Sequence, residues 1–307
     1  MRVLYMGTPD FAATVLTGIH KAGYDIVGVI SQPDKPKNRG MHMEPTAVKK
    51  CAEALGLPVY QPETLRDKAI LPYLEETRPD IIVVVAYGKL LPEYVLNFPK
   101  YGCVNMHASL LPKYRGAAPI QWSILNGESE TGVTAMYMEK GLDTGDMICK
   151  CKVKISEEDT AETLHDTLAD MAAVLAIETL ESIENGTATR EKQEDAESTY
   201  APLLTKELGN IDWELPTRRI LDKIRGLFPW PGAYCYKEGQ LLKIIRARKA
   251  EGKGNPGSVL HSQGKLIVAT ADGAVEILEL QPAGKKKMPA QAYLAGNPIK
   301  PGTMLTK

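Results

Sequence analysis

Short apolar runs alternate with helically spaced ones through the first part of the chain, the order that a parallel sheet with crossover helices requires. Val3 to Met6 predicts a first strand, Gly7-Thr8-Pro9 a turn, and Phe11 to Ala22 a helix. A second strand is expected over Asp25–Ile30. The stretch Asp80 to Ala86 is apolar throughout after its aspartate, so this strand is expected to be buried on both faces. Gly102 to His107 predicts another strand, but one that ends in polar residues, Asn105 and His107. Thr160 to Glu184 reads as one long helix. Asp159 and Glu162 are spaced for a capping-box-like start, and Gly186 supplies the stop.

The pattern then breaks. Thr187 to Leu208 is polar, charged and aperiodic, which suits a linker. Trp213 to Gly226 predicts mostly helix, and short β-rich segments follow at Ala233–Tyr236, Leu241–Ala247, Ser258–Leu260, Lys265–Thr270 and Ala274–Leu280. Turns such as Pro231-Gly232 and Ala271-Asp272-Gly273 separate them, as in a small β-barrel. The expected organisation is an α/β domain over residues 1–187, a linker over 188–208 and a barrel over 209–307.

A length of 307 residues agrees with two domains. No apolar run approaches the roughly 20 residues of a membrane span, and the amino terminus enters its first strand without a cleavable signal. The five cysteines, Cys51, Cys103, Cys149, Cys151 and Cys235, are scattered and read as reduced cytosolic thiols. Cys149 and Cys151 share a strand face without forming a CxxC pair, and no histidine lies near them at zinc-finger spacing, so no metal site is expected. The net charge of −1 hides an asymmetry: from Gly209 onward there are 16 Lys+Arg against 8 Asp+Glu, leaving 21 against 30 before it. Such a split suggests a basic module that meets a polyanion, against the plainer reading of surface variation.

The first loop, Gly7-Thr8-Pro9-Asp10-Phe11, is not G-x-G-x-x-G, which disfavours a nicotinamide dinucleotide. Ligands of open α/β sheets gather beyond the carboxyl ends of the strands, where Asn105 and His107 are expected. The two share a strand face about 7 Å apart, at about 3.3 Å per residue. Cys103 is on that face too, but about 13 Å from His107 by the same rise, too far for a thiol–imidazole pair. Acyl transfer to an amine builds an oxyanion and releases a proton. Asn105 can donate to that oxygen, and His107 can donate or carry protons. Asp143, in Gly141-Leu142-Asp143-Thr144-Gly145-Asp146, is the candidate carboxylate to orient the imidazole. Asn-x-His alone is a weak signal, and a Gly-Asp loop alone is an ordinary turn.

With Ser109-Leu110-Leu111-Pro112-Lys113-Tyr114-Arg115-Gly116 the set becomes specific, and the chain resembles the folate-dependent formyltransferase family. The resemblance also runs through Gly7–Phe11, Val84-Val85-Ala86-Tyr87-Gly88, Trp230-Pro231 and Gln281-Pro282-Ala283-Gly284-Lys285-Lys286, essentially the whole chain. It implies a Rossmann-like catalytic domain with a mostly parallel sheet, using 10-formyltetrahydrofolate as formyl donor, and a C-terminal OB-like β-barrel. By motif, Asn105, His107 and Asp143 fall on the family's catalytic trio. Ser109, Leu110, Leu111 and Pro112 fall on its folate-binding segment, with Gly88 lining the same side. No metal or nicotinamide is expected, because the folate carries the activated carbon.

The trio does not set the acceptor, since glycinamide-ribotide and sugar-nucleotide formyltransferases resemble the chain there. The resemblance is greatest to the branch that formylates initiator methionyl-tRNA for translation initiation, which implies a cytoplasmic monomer. Gln32 to Lys49 matches the loop that reaches the tRNA acceptor end, with Lys35, Lys37 and Arg39, although Met41-His42-Met43 stands where other members often carry lysines. In the basic module, Lys243, Arg246, Arg248 and the run Lys285-Lys286-Lys287 are candidates to neutralise phosphates. The alternatives are another formyltransferase or hydrolase using 10-formyltetrahydrofolate, or an idle tRNA-binding module.

Overall fold

The chain enters at β1 (Arg2–Gly7) and runs through α1 (Asp10–Lys21), β2 (Asp25–Ile30), β3 (Lys35–Lys37), β4 (His42–Glu44), α2 (Ala47–Ala54) and β5 (Val59–Tyr60). It continues through α3 (Leu71–Thr77), β6 (Ile81–Val85), α4 (Glu93–Leu96), β7 (Cys103–His107), β8 (Arg115–Gly116), α5 (Pro119–Leu125), β9 (Glu130–Tyr137), β10 (Met147–Lys154) and α6 (Ala161–Glu184). In this computed structural model the described residues are 1–37 and 42–307. Asn38 to Met41 fall outside them, as do the side chains of Lys37 and His42, so the expectations placed on Arg39 and the Lys37 ammonium lie outside the described residues.

The sheet has the order β10-β9-β7-β6-β1-β2-β5. Its five strands from β7 to β5 pair in parallel, and β9 runs antiparallel to β7. All five residues of β6 are buried, as a strand covered by helices on both faces must be. Leu4, Met6, Ile82 and Val84 pack on one side against Leu74 of α3 and Val95 of α4. On the other side the Tyr5 hydroxyl donates to Ala12 O in α1. A Cβ on Gly18 of α1 would stand 2.9 Å from Ala173 Cβ in α6, so these helices meet at a glycine.

The start of α6 differs in detail from the expectation. Thr160 and Thr163 cap each other, with Thr163 N donating to Thr160 Oγ1 at 3.2 Å and Thr160 N to Thr163 Oγ1 at 3.0 Å. Asp159 accepts from Ser156 N at 2.7 Å through Oδ2 and from the Thr163 hydroxyl at 3.3 Å through Oδ1. The reciprocal cap sits one residue later because each threonine hydroxyl oxygen accepts the other's backbone N–H, so Glu162 is not needed as the second acceptor. Gly186, at φ +71°, ends the helix as expected.

The polar stretch after α6 is divided between two compact units: residues 188–201 belong to the first and 202–208 to the second. Met147 and Glu191 exchange backbone bonds of 2.8 and 2.9 Å, and β11 (Tyr200–Ala201) pairs in parallel with β8. This part of the stretch therefore lies bonded along the first unit as a strap.

The second unit holds α7 (Thr217–Gly226), β12 (Ala233–Lys237), β13 (Gln240–Ala250), β14 (Val259–His261), β15 (Leu266–Ala269), β16 (Ala274–Pro282), β17 (Met288–Pro289), α8 (Ala290–Gly296) and β18 (Leu305–Thr306). Its antiparallel sheet, in the order β14-β15-β16-β13-β12-β18 with β17 on β16, curls into a barrel-like half-shell. Ile220 and Ile224 of α7 and Tyr293 and Leu294 of α8 share one core with Leu242, Ile244, Val275 and Ile277. The helix begins at Thr217 rather than Trp213, because the residue before a proline disfavours helical backbone and Leu215 precedes Pro216. Asp272 then accepts from Thr217 N at 2.7 Å and caps the helix from the β15–β16 turn. The α/β sheet followed by a barrel-like domain is the fold class expected from the sequence.

Leu4, Ile82 and Cys103 stand in one row across β1, β6 and β7. Ile82 is fully buried there, so Ile82→Ala is expected to cost about 2–5 kcal/mol, the usual range for emptying a core site. Urea unfolding followed by a probe in the first unit checks this; a loss below about 0.5 kcal/mol would show the sheet is not held by that row.

Candidate active site

Strand β7 presents Cys103, Asn105 and His107 on one face, and the three have different surroundings. Cys103 is buried among Leu4, Ile82 and Val95, and burial pushes its thiol up to about 12. It is a packing residue, as the strand spacing implied. Asn105 is half-buried between Val84 of β6 and Met136 of β9. Its amide makes no side-chain hydrogen bond among the described residues. Both hydrogens of a half-buried amide are then free to meet a ligand oxygen.

His107, 6% exposed, has Nε2 2.9 Å from Tyr114 O. A carbonyl only accepts, so Nε2 is the donor and carries a proton. That leaves Nδ1 as the nitrogen that gains or loses one. Nδ1 stands 3.7 Å from Asp143 Oδ2, too far for a direct hydrogen bond but close enough for an ion pair once the ring is protonated.

Asp143 is held in place by its own backbone and by β8. It lies at φ +53° in the left-handed region, and its Oδ2 accepts from Gly116 N at 2.9 Å. The turn needs Gly145: a Cβ there would fall 1.8 Å from Tyr137 O. Gln193 Nε2 donates to both Asp143 O and Gly145 O at 2.8 Å. The structure thus brings Asp143 to His107, a relation that sequence spacing alone did not show.

The Ser109–Pro112 segment divides into two kinds of residue. Ser109 is buried, its Oγ donates to Lys113 O at 2.7 Å, and its carbonyl accepts from Thr134 Oγ1 at 2.7 Å. Leu111 is buried against Met136 and Met147. These two hold the turn, while Leu110 and Pro112 remain half-exposed. Gly88, at φ +84°, follows β6 just past its carboxyl end, where Thr8 Oγ1 and Gln32 Nε2 both donate to Tyr87 O at 3.0 and 2.9 Å.

Residues 1–180 match the family described as formyl transferase, and residues 203–298 match formyl transferase, C-terminal domain. A methionyl-tRNA formyltransferase of Caldanaerobacter subterraneus subsp. tengcongensis is 51% identical over 99% of this chain and 100% of that protein. The chain belongs to the formyl transferase family. A second methionyl-tRNA formyltransferase, from Geobacter metallireducens, is 46% identical to this formyl transferase over 99% of it and 98% of its own length. Solved structures share the fold at lower identity. WlaRD, a sugar 3N-formyl transferase studied with dTDP and 5-N-formyl-THF, superposes with a TM-score of 0.69 at 21% identity, over 93% of this chain and 99% of that one. HypX from Aquifex aeolicus in complex with tetrahydrofolic acid gives 0.64 at 20% identity, over all of this chain and 51% of its own.

The basic candidates of the formyl transferase are spread over separate elements. Lys35 is exposed on β3, while Arg246 on β13 and Lys285, Lys286 and Lys287 between β16 and β17 are also exposed. Lys243 is half-buried on β13 opposite Gln281. Arg248 pairs with Glu276 at 2.8 Å, so its charge is already partly neutralised. Among the described residues no cluster of His, Cys, Asp and Glu is arranged to hold a metal, and no helix is long and apolar enough to cross a membrane.

His107→Ala is expected to lower kcat for formyl transfer by about 10² or more, the usual scale for a proton carrier or oxyanion donor. Asp143→Asn should fall similarly, because an amide does not pair with an imidazolium as a charge. Donor binding should survive both changes, since the Ser109–Pro112 turn is bonded independently of them. Turnover near wild type in steady-state kinetics would remove the pair from the mechanism.

Proposed function

We propose that this chain transfers the formyl group of 10-formyltetrahydrofolate to the amino group of methionine on initiator methionyl-tRNA, giving N-formylmethionyl-tRNA for translation initiation. The observation that carries the reading is the extent of the likeness: identity of 46–51% to methionyl-tRNA formyltransferases spans 99–100% of the chain, with both domains included. The free Asn105 amide and the His107 imidazole at one strand end, with Asp143 brought to face that imidazole from the loop before β10, suit that reaction.

The folate donor supplies a formyl carbon activated by its nitrogen leaving group. Leu110, Pro112 and Gly88 are the residues that would hold it. As the methionine nitrogen bonds to the formyl carbon, negative charge collects on the formyl oxygen, and Asn105 donates an amide hydrogen to it. The carbon–nitrogen bond to the folate breaks. One proton leaves the methionine nitrogen and one reaches the departing nitrogen, so charge balances. His107 Nδ1 carries the proton between them, with the Asp143 carboxylate facing it while Nε2 stays bonded to Tyr114 O. No metal or nicotinamide takes part in this reading.

For the acceptor, Lys243, Arg246, Lys285, Lys286 and Lys287 contact phosphates, with a smaller share for Arg248 because Glu276 competes for it. Lys35, Lys37 and Arg39 act toward the acceptor end. The same reading makes the enzyme a cytoplasmic monomer.

Purified protein mixed with 10-formyltetrahydrofolate and charged initiator tRNA should yield formylmethionine, and elongator methionyl-tRNA should not. No product with initiator tRNA would overturn the proposal, and formate release without tRNA would mark a hydrolase instead. Replacing Lys285, Lys286 and Lys287 together by alanine should lower kcat/KM for the tRNA by about tenfold or more, worth roughly 1.4 kcal/mol. The slope of affinity against salt should flatten, because fewer counterions are released. An unchanged slope would remove these lysines from the phosphate contact.

A further inference from the structure

Gln193 sits in the strap after α6, in a stretch with no helical or strand period, yet its half-buried amide is fully engaged. Both amide hydrogens are used on one loop, toward Asp143 O and Gly145 O at 2.8 Å each. Its Oε1 accepts from Arg115 Nε at 3.0 Å. Arg115 is fixed in turn: its guanidinium donates to Asp195 Oδ1 at 2.8 Å and its backbone N to Thr199 O at 2.9 Å.

We propose that Gln193 is a positioning residue for formyl transfer, setting where the Asp143 carboxylate stands relative to His107. Two segments hold the His107–Asp143 pair, and Gln193 ties them together. One is the Asp143 loop, whose left-handed residue at φ +53° persists only if its surroundings enforce it. Two carbonyls of that loop point at one donor group, and a primary amide has two hydrogens to satisfy both. The other segment is Tyr114-Arg115-Gly116. Tyr114 O receives His107 Nε2, and Gly116 N donates to Asp143 Oδ2. Arg115, between them, receives the other end of Gln193. Removing the amide frees the Asp143 loop from the segment that aims the imidazole, and displacements near 1 Å at such sites cost about 10²-fold in rate.

The inference rests on the formyl-transfer reading, and the test separates the two. Wild type, Q193A, Q193E, D143N and the Q193A/D143N double variant are compared in steady state with 10-formyltetrahydrofolate and charged initiator tRNA, together with thermal unfolding. Q193A should lose at least about tenfold in kcat, with both KM values within about twofold of wild type and the unfolding midpoint little moved. Q193E, of equal size, should be no better, because its carboxylate would face two carbonyl oxygens; it keeps the test open if Q193A folds poorly. In the D143N background Q193A should change kcat by less than about twofold, because its effect passes through the carboxylate already removed. An inactive wild type overturns the function on which the inference stands. An active wild type with Q193A at full rate, or with losses that multiply in the double variant, overturns the role of Gln193 alone.

Discussion

The hydrogen bond from Gly116 N to Asp143 Oδ2, 2.9 Å long, joins two segments far apart in sequence, one ending in β8 and the other a loop. The first follows β7 and folds back into β8 so that Tyr114 O meets His107 Nε2; the second precedes β10 and carries the carboxylate. Because the bond uses one oxygen of Asp143, that oxygen is fixed 3.7 Å from Nδ1. A hydrogen bond to a charged acceptor contributes about 1.5–3 kcal/mol, enough to hold one carboxylate orientation against its alternatives. The imidazole is fixed at Nε2 and the carboxylate at Oδ2, so Nδ1 faces a carboxylate that is in place before any substrate arrives. Preorganisation of this kind is what electrostatic catalysis requires.

The sheet was legible because its core strands carry their burial in their composition. Ile81 to Val85 have no polar position, and a strand so made has no stable place except between two covered faces. The polar ending of β7 was legible for the opposite reason, since Asn105 and His107 interrupt an apolar strand at its carboxyl end. What the pattern did not reveal was which polar groups pair, near or far along the chain. The Thr160–Thr163 cap looked like an Asp159–Glu162 cap because both spacings are three residues, and hydroxyl direction decides between them. Ser109 falls on a folate-binding segment by resemblance alone, and the bond from its hydroxyl to Lys113 O, which closes the turn, had no signal in the pattern. Gln193 carried no signal at all: a lone amide in a charged, aperiodic stretch resembles a linker residue until its partners at Asp143, Gly145 and Arg115 are seen.

The two tasks of the proposed reaction fall on different kinds of side chain. The groups that act on the formyl oxygen and on the proton leaving the amine are half-buried or buried, and they owe their effect to fixed distances in a site of low dielectric. Salt screens such interactions little. Most of the groups proposed to meet the tRNA are exposed cations on the last third of the chain, from Gly209 onward, with 16 basic and 8 acidic residues. The first 208 residues, with 21 basic against 30 acidic, would on average repel a polyanion. Attraction must therefore come from this basic segment and from local cations such as Lys35. Not every cation there is equally available: Arg248 must leave Glu276 before its guanidinium can take a phosphate, whereas the ammonium groups of Lys285, Lys286 and Lys287 make no ion pair among the described residues. Acceptor affinity should thus be salt-sensitive and spread over several residues, while the chemical step depends on a few polar atoms. Ionic strength then separates recognition from catalysis within one chain.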